Sequence, residues 1–226
     1  MTAAAGRPQR GPLVADDGLA HRPKVFVIGH NKTGTTSVEA ALVSFGYLMG
    51  DQVAAELLLD DWAQRHFGRL FELCRTADAF QDVPFSLWDT YRALDQAFPG
   101  SKFVLTVRNS SEEWYDSVVR WGRKLVGAQG SVPTAEEMRS FDYRAPGWFL
   151  RSHLLIYGVD EAHVYDRTRY VAAYERHNEA VLDYFSGRAD SFLVLNVSNA
   201  GALHSLGAFL GIVVDPGVTM PHLNRT

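Results

Sequence analysis

The sequence predicts an α/β fold, a three-layer sandwich with a central parallel sheet and helices on both faces. Three observations predict it. Short, continuously apolar runs at 24–29, 101–107 and 192–196 suit strands buried on both faces. Segments of helical apolar period lie between them. The alternation of strand and helix is the pattern of parallel βαβ units. In such sheets ligands sit at the carboxyl ends of strands. Three polar clusters fall there: 30–37, 81–82 and 108–109.

The elements follow in chain order. Run 24–29 ends in Gly29, and a glycine-containing loop leads into a helix on which Val38, Leu42 and Phe45 share a face; Gly46 stops it. Residues 51–76 are expected to be helical. Residues 78–82 form a short strand, closed by Pro84. Segment 87–98 has helical spacing and ends at Pro99-Gly100, a turn signal. Strand 101–107 runs into Arg108-Asn109, and 112–125 is an amphipathic helix carrying Trp114 and Tyr115 toward the core. Residues 126–147 hold three glycines and two prolines and are expected to form a loop-rich excursion with one short helix. Helices at 148–157 and 169–185, strand 192–196 and helix 201–210 complete the chain.

At 226 residues the chain suits one domain, here 24–226, with 126–168 forming a cap over the acceptor side. The first 23 residues lack an apolar stretch and read as a disordered lead-in rather than a signal peptide. No stretch reaches the roughly 18 apolar residues of a membrane span. The expectation is therefore a cytoplasmic protein without a membrane partner. Twenty-two Lys and Arg against 26 Asp and Glu give a net charge of −4. That balance argues against nucleic acid as partner and against a long polyanionic substrate. The single cysteine, Cys74, excludes an internal disulfide and a cysteine-rich zinc site and suits a buried apolar position. His153, His163, His177 and His204 have no metal-ligand spacing. No metal is expected, and the sequence does not fix the oligomeric state.

The loop Gly29-His-Asn-Lys-Thr-Gly34-Thr-Thr has the frame of a phosphate-binding loop. Backbone N–H groups of Gly34 and the following helix start form an anion site, aided by the helix dipole. Thr33, Thr35, Thr36 and Ser37 add hydroxyls, and Lys32 adds a full charge. A nucleoside-triphosphate hydrolase would need a lysine and a metal-binding hydroxyl after the second glycine, and an acid ending a neighbouring strand. Here Thr35 stands after Gly34 and Arg108 ends the strand. The loop suits an anion without a metal.

These residues carry a resemblance. The segment 32–37 after a buried strand resembles the 5′-phosphosulfate loop of sulfotransferases dependent on 3′-phosphoadenosine 5′-phosphosulfate (PAPS). The chain from Lys24 to Thr226 is similar throughout to their small bacterial branch, with further likeness at 78–85, 98–108, 114–117 and 221–226. The resemblance implies a fold like that of P-loop nucleoside triphosphatases, PAPS as co-substrate and adenosine 3′,5′-bisphosphate as product. It implies that Arg108 and Ser117 hold the 3′-phosphate and that Arg225 lies in a basic tail closing over the nucleotide. It also implies that Lys32 stabilises the leaving phosphate.

An acceptor hydroxyl needs a base, and the segment matching the family's base offers Asp82, with His30 as runner-up. The alternatives are structural: Asp82 capping a helix that begins near Ser86, and His30 packed or facing solvent. Tyr143, Trp148, Phe149 and His153 could wall a pocket for a small aromatic or lipophilic acceptor. Two other functions stay open on sequence: a P-loop small-molecule kinase, and a non-catalytic nucleotide-binding protein.

Overall fold

The computed structural model describes residues 22–221. Apart from Arg22 and Pro23, the expected lead-in lies outside the described residues, as does Arg225 in the tail. Four strands, β1 (Val25–Val27), β2 (Ala79–Phe80), β3 (Lys102–Thr106) and β4 (Phe192–Leu195), form one sheet in the order β2-β1-β3-β4. Every pairing is parallel, with Phe26 in register with Phe80 and Phe103, and Val104 with Leu193. The helices are α1 (Thr35–Ser44), α2 (Gln52–Glu56), α3 (Leu59–Ala63), α4 (Gly68–Cys74), α5 (Thr90–Ala97), α6 (Ser111–Val126), α7 (Ala135–Ser140), α8 (Trp148–Tyr157), α9 (Arg167–Tyr184) and α10 (Ala202–Leu210).

Strand side chains alternate between faces, and both faces are covered. Phe26, Ile28, Phe80, Phe103 and Leu105 join Leu70 and Cys74 of α4, Tyr91 and Leu94 of α5 and Val181 of α9 in one apolar cluster. Val25, Val27, Val104 and Leu195 join Val38 and Leu42 of α1 and Leu203 and Leu206 of α10 in another. Two-sided burial explains why the strands read as unbroken apolar runs. Cys74 is fully buried, and burial pushes its thiol up to about 12.

Beside the sheet, α6 to α9 pack around a separate aromatic cluster. Trp114 stacks on Tyr174 with ring centroids 4.4 Å apart, and Tyr157 on Tyr170 at 3.9 Å. The short helix expected within 126–147 is α7. Its start carries a capping box, in which Thr134 and Glu137 satisfy each other's backbone N–H groups.

The structure corrects two boundaries. The helical stretch expected over 51–76 is three short helices, α2, α3 and α4. Arg65, just past α3, has φ 61°, a left-handed conformation that no helix continues through. Leu59 and Trp62 pack instead against Val83 and Leu87. The helix expected from 87 starts at Thr90, after Asp89 at φ 62°. Among the described residues no helix is long and apolar enough to cross a membrane.

The chain runs from β1 to β2 on one side and later fills β3 on the other. That reversal of direction opens a crevice at the carboxyl end of β1, where open α/β sheets bind ligands.

Candidate active site

The loop between β1 and α1 is built by close packing. A Cβ added at Gly29 would lie 2.3 Å from the Thr106 carbonyl oxygen of β3. One added at Gly34 would lie 2.4 Å from Val197 Cγ2, and Gly34 has φ 100°. Only glycine fits both demands at position 34. Thr33 Oγ1 donates to the His30 carbonyl at 2.5 Å and meets Thr106 Oγ1 at 2.6 Å. That hydroxyl is therefore turned inward, holding the loop to β3, and Thr33 is fully buried. Ser37 is also buried. Asn31, Lys32, Gly34, Thr35 and Thr36 reach a cavity of about 220 Å³ at the strand ends.

Lys32 has φ 67°, an uncommon conformation for a residue with a side chain. Its ammonium sits 5.6 Å from the centre of the Trp121 ring. Burial lowers its pKa to about 8, with Arg108, Arg120 and Lys124 acting in the same direction and Asp82 opposing them. A cation so poorly solvated gains from an arriving anion.

Arg108, at the end of β3, lines the same cavity. Its Nε donates to the Lys32 carbonyl at 2.7 Å, and Nη1 donates to Glu113 Oε1 at 3.3 Å. It thus buttresses the lysine's backbone while pairing with an acid of α6. Ser117, also on α6, is buried, its Oγ has no hydrogen-bond partner, and it is not in the cavity lining.

Asp82 follows β2, the neighbour of β1, and lines the cavity with Lys32. It has φ 60°, and its Oδ1 accepts from the Val83 N–H at 2.9 Å. The carboxylate caps no helix, because α5 begins only at Thr90. Burial raises its pKa to about 7, and the nearby Glu56 pushes the same way; the Val83 N–H and Arg144 oppose them.

His30 lies elsewhere. It is buried among Trp114, Tyr157, Tyr174 and His177, its ring centroid 4.6 Å from that of His177. Burial, and secondarily His177, holds its pKa well below the usual value. It is absent from the cavity lining, so the packed alternative describes its place.

Much of the rest of the cavity lining is aromatic. Tyr143, Trp148, Phe149 and His153 all line it, with Trp121, Ser152 and Ile156. Burial lowers the His153 pKa to about 3, and its Nδ1 lies 2.8 Å from the Tyr170 hydroxyl. Glu56, Ser152, Ile156 and Trp121 line the site without having been singled out by sequence. They sit inside helices, outside any motif, and only the tertiary fold turns them to the cavity. Among the described residues no group of three or more His, Cys, Asp and Glu could hold a metal ion.

The cavity brings a cation and the backbone of a helix start together with aromatic side chains and an acid whose pKa is raised to about 7. That combination suits transfer of an anionic group to an uncharged nucleophile. A family model described as a sulfotransferase domain matches residues 24–226, which include every residue of the cavity lining. No curated protein matches the chain. With the family match spanning both the sheet and its crevice, the chain belongs to the sulfotransferase family.

Proposed function

We propose that the protein transfers a sulfuryl group from PAPS to a hydroxyl or amine of a small aromatic or lipophilic acceptor, in the cytoplasm. The observation that carries this reading is that Lys32 and Asp82, on loops ending neighbouring parallel strands, share one cavity with an aromatic wall.

The residues fit the donor. The Lys32 ammonium and the N-terminus of α1, with Thr35 and Thr36, suit the 5′-phosphate. Arg108 suits the 3′-phosphate, its guanidinium able to exchange Glu113 for the stronger anion. In the reaction the acceptor oxygen bonds to sulfur while the bond from sulfur to the bridging phosphate oxygen breaks. The electron pair leaves with that oxygen, and adenosine 3′,5′-bisphosphate departs. Lys32 neutralises the charge that gathers there. The acceptor proton passes to Asp82, whose raised pKa suits a base working near neutral pH. The apolar rings of Trp121, Trp148 and Phe149 lining the cavity lower the local polarity and so strengthen both interactions.

Asp82→Asn keeps the side-chain size and removes the proton acceptor. With PAPS and an accepted phenol or alcohol, kcat should fall by about 10²–10⁴ while nucleotide affinity stays nearly constant. A near-normal kcat in this variant would remove Asp82 from the chemistry.

A further inference from the structure

Glu56 has no place in the phosphate loop, yet it bonds the segment 144–148 directly and reaches the turn after β2 through Gln52. Its Oε1 accepts from Gln52 Nε2 at 3.2 Å, and the same amide group donates to the Val83 carbonyl at 3.2 Å. Val83 is the residue whose N–H donates to the Asp82 carboxylate. Glu56 Oε2 accepts from Arg144 Nε, and the Glu56 carbonyl accepts from Trp148 Nε1 at 3.1 Å. Arg144 in turn donates to the Tyr143 hydroxyl at 3.2 Å and lies 4.1 Å from the centre of that ring. Glu56 is only 4% exposed. A carboxylate at that depth costs several kcal/mol in lost hydration unless paired, and an apolar residue would fill the space more cheaply. A packing role alone gives no reason for a charge there.

We propose that Glu56 is the positioning residue of the acceptor half: through Gln52 it ties the turn carrying Asp82 to the cap that forms the aromatic wall, and with Arg144 it sets the charge state of Asp82. This rests on Asp82 being the base. Asp82 is faced by Glu56 from α2, Glu39 from α1, Lys32 from the loop, Arg144 and Tyr143 from the segment before α8 and Tyr157 from α8. His153 lines the same cavity. After burial, the charge of Glu56 is the largest influence holding the Asp82 proton on, and Arg144 opposes it. The pair therefore makes a signed prediction. Without the Glu56 charge, Asp82 is the carboxyl group that still acts on Arg144, and Arg144 favours its ionised form. Without Arg144, Glu56 stands unbalanced and favours the neutral acid.

The test is a carboxyl ¹³C NMR titration of the ligand-free protein, with the Asp82 resonance assigned by its loss in Asp82→Asn. Proton affinity at Asp82 should fall about tenfold or more in Glu56→Gln and rise about tenfold in Arg144→Met. Shifts of the same sign in both variants, or none in either, would overturn the proposal. Thermal unfolding at one pH checks that each variant folds. If Glu56→Gln does not fold, Arg144→Met decides alone, since an unchanged or weakened proton affinity there contradicts the role. The titration needs no turnover, so the two failures separate. A fixed Asp82 midpoint with normal sulfuryl transfer overturns the role of Glu56. Opposite shifts without any transfer from PAPS overturn the proposed function and leave the coupling in place.

Discussion

At the residue scale the site turns on two side chains whose surroundings push them toward neutrality from opposite charges. Lys32 is held down to about 8, chiefly by burial, and Asp82 is raised to about 7 by burial and Glu56. At neutral pH Lys32 is still mostly charged, and a phosphate beside it would raise its pKa again. Lys32→Ala removes the charge that we propose acts on the leaving oxygen, and Lys32 plays little part in the core. We expect kcat to fall about 10²–10³-fold, read by single-turnover kinetics with PAPS, with the melting temperature held. The Asp82 proton also makes a stability prediction. Its folded pKa lies above its unfolded value near 3.9, so its contribution is full below that value and is lost as pH rises through about 7. Asparagine does not titrate. The stability of Asp82→Asn relative to the parent should therefore grow between pH 5 and 8, by on the order of 2–4 kcal/mol. Urea unfolding across that range checks it, and a flat difference would contradict the half-buried, partly protonated state of Asp82.

At the scale of elements, the loop from β1 to α1 is the feature most dependent on backbone conformation. Gly34→Ala meets both a φ of 100° and a contact 2.4 Å from Val197, so it should cost more than the roughly 1 kcal/mol of an ordinary Gly-to-Ala mismatch. It should also weaken binding of adenosine 3′,5′-bisphosphate, because the helix start must move; calorimetry and thermal melting report the two effects together. This loop, the strands β1 and β3 and the helices α1 and α6 were legible because each carries a local signal: an unbroken apolar run, a glycine at a forced turn, a helical apolar period. The aromatic wall was legible as far as Tyr143, Trp148, Phe149 and His153. Glu56 and Arg144 were not, since their meaning lies in a pairing across 88 positions that no local pattern records. The division of 51–76 into α2, α3 and α4 escaped for a similar reason. Packing of Leu59 and Trp62 on Val83 and Leu87 overrides helical propensity in that stretch. The inward turn of the Thr33 hydroxyl needed the position of Thr106, 73 residues away.

At the scale of the whole molecule, three histidines are enclosed without charge. His30, His153 and His177 are all buried, and burial is the leading cause that depresses each. A depressed histidine contributes stability that is present above its unfolded pKa of about 6.5 and lost as pH falls toward the folded value. For His177 that window runs down to about 4 and for His153 to about 3. The protein should therefore lose stability steeply between pH 6 and 4, seen as a falling urea midpoint, and His153→Phe should soften that slope. His153 also lines the cavity, so under the proposed function the same variant should change KM for the acceptor. The site itself follows from one arrangement, a parallel sheet whose strand ends carry a cation and an acid into a single aromatic crevice. The most direct test of that arrangement is to incubate the purified protein, without added Mg²⁺, with PAPS and a panel of phenols, alcohols, amines and sugars, and to follow acceptor mass. We predict the gain of one sulfuryl group on a small aromatic or lipophilic acceptor, abolished by Lys32→Ala. Phosphoryl transfer from ATP that requires Mg²⁺, with no sulfuryl gain from PAPS on any acceptor, would contradict it.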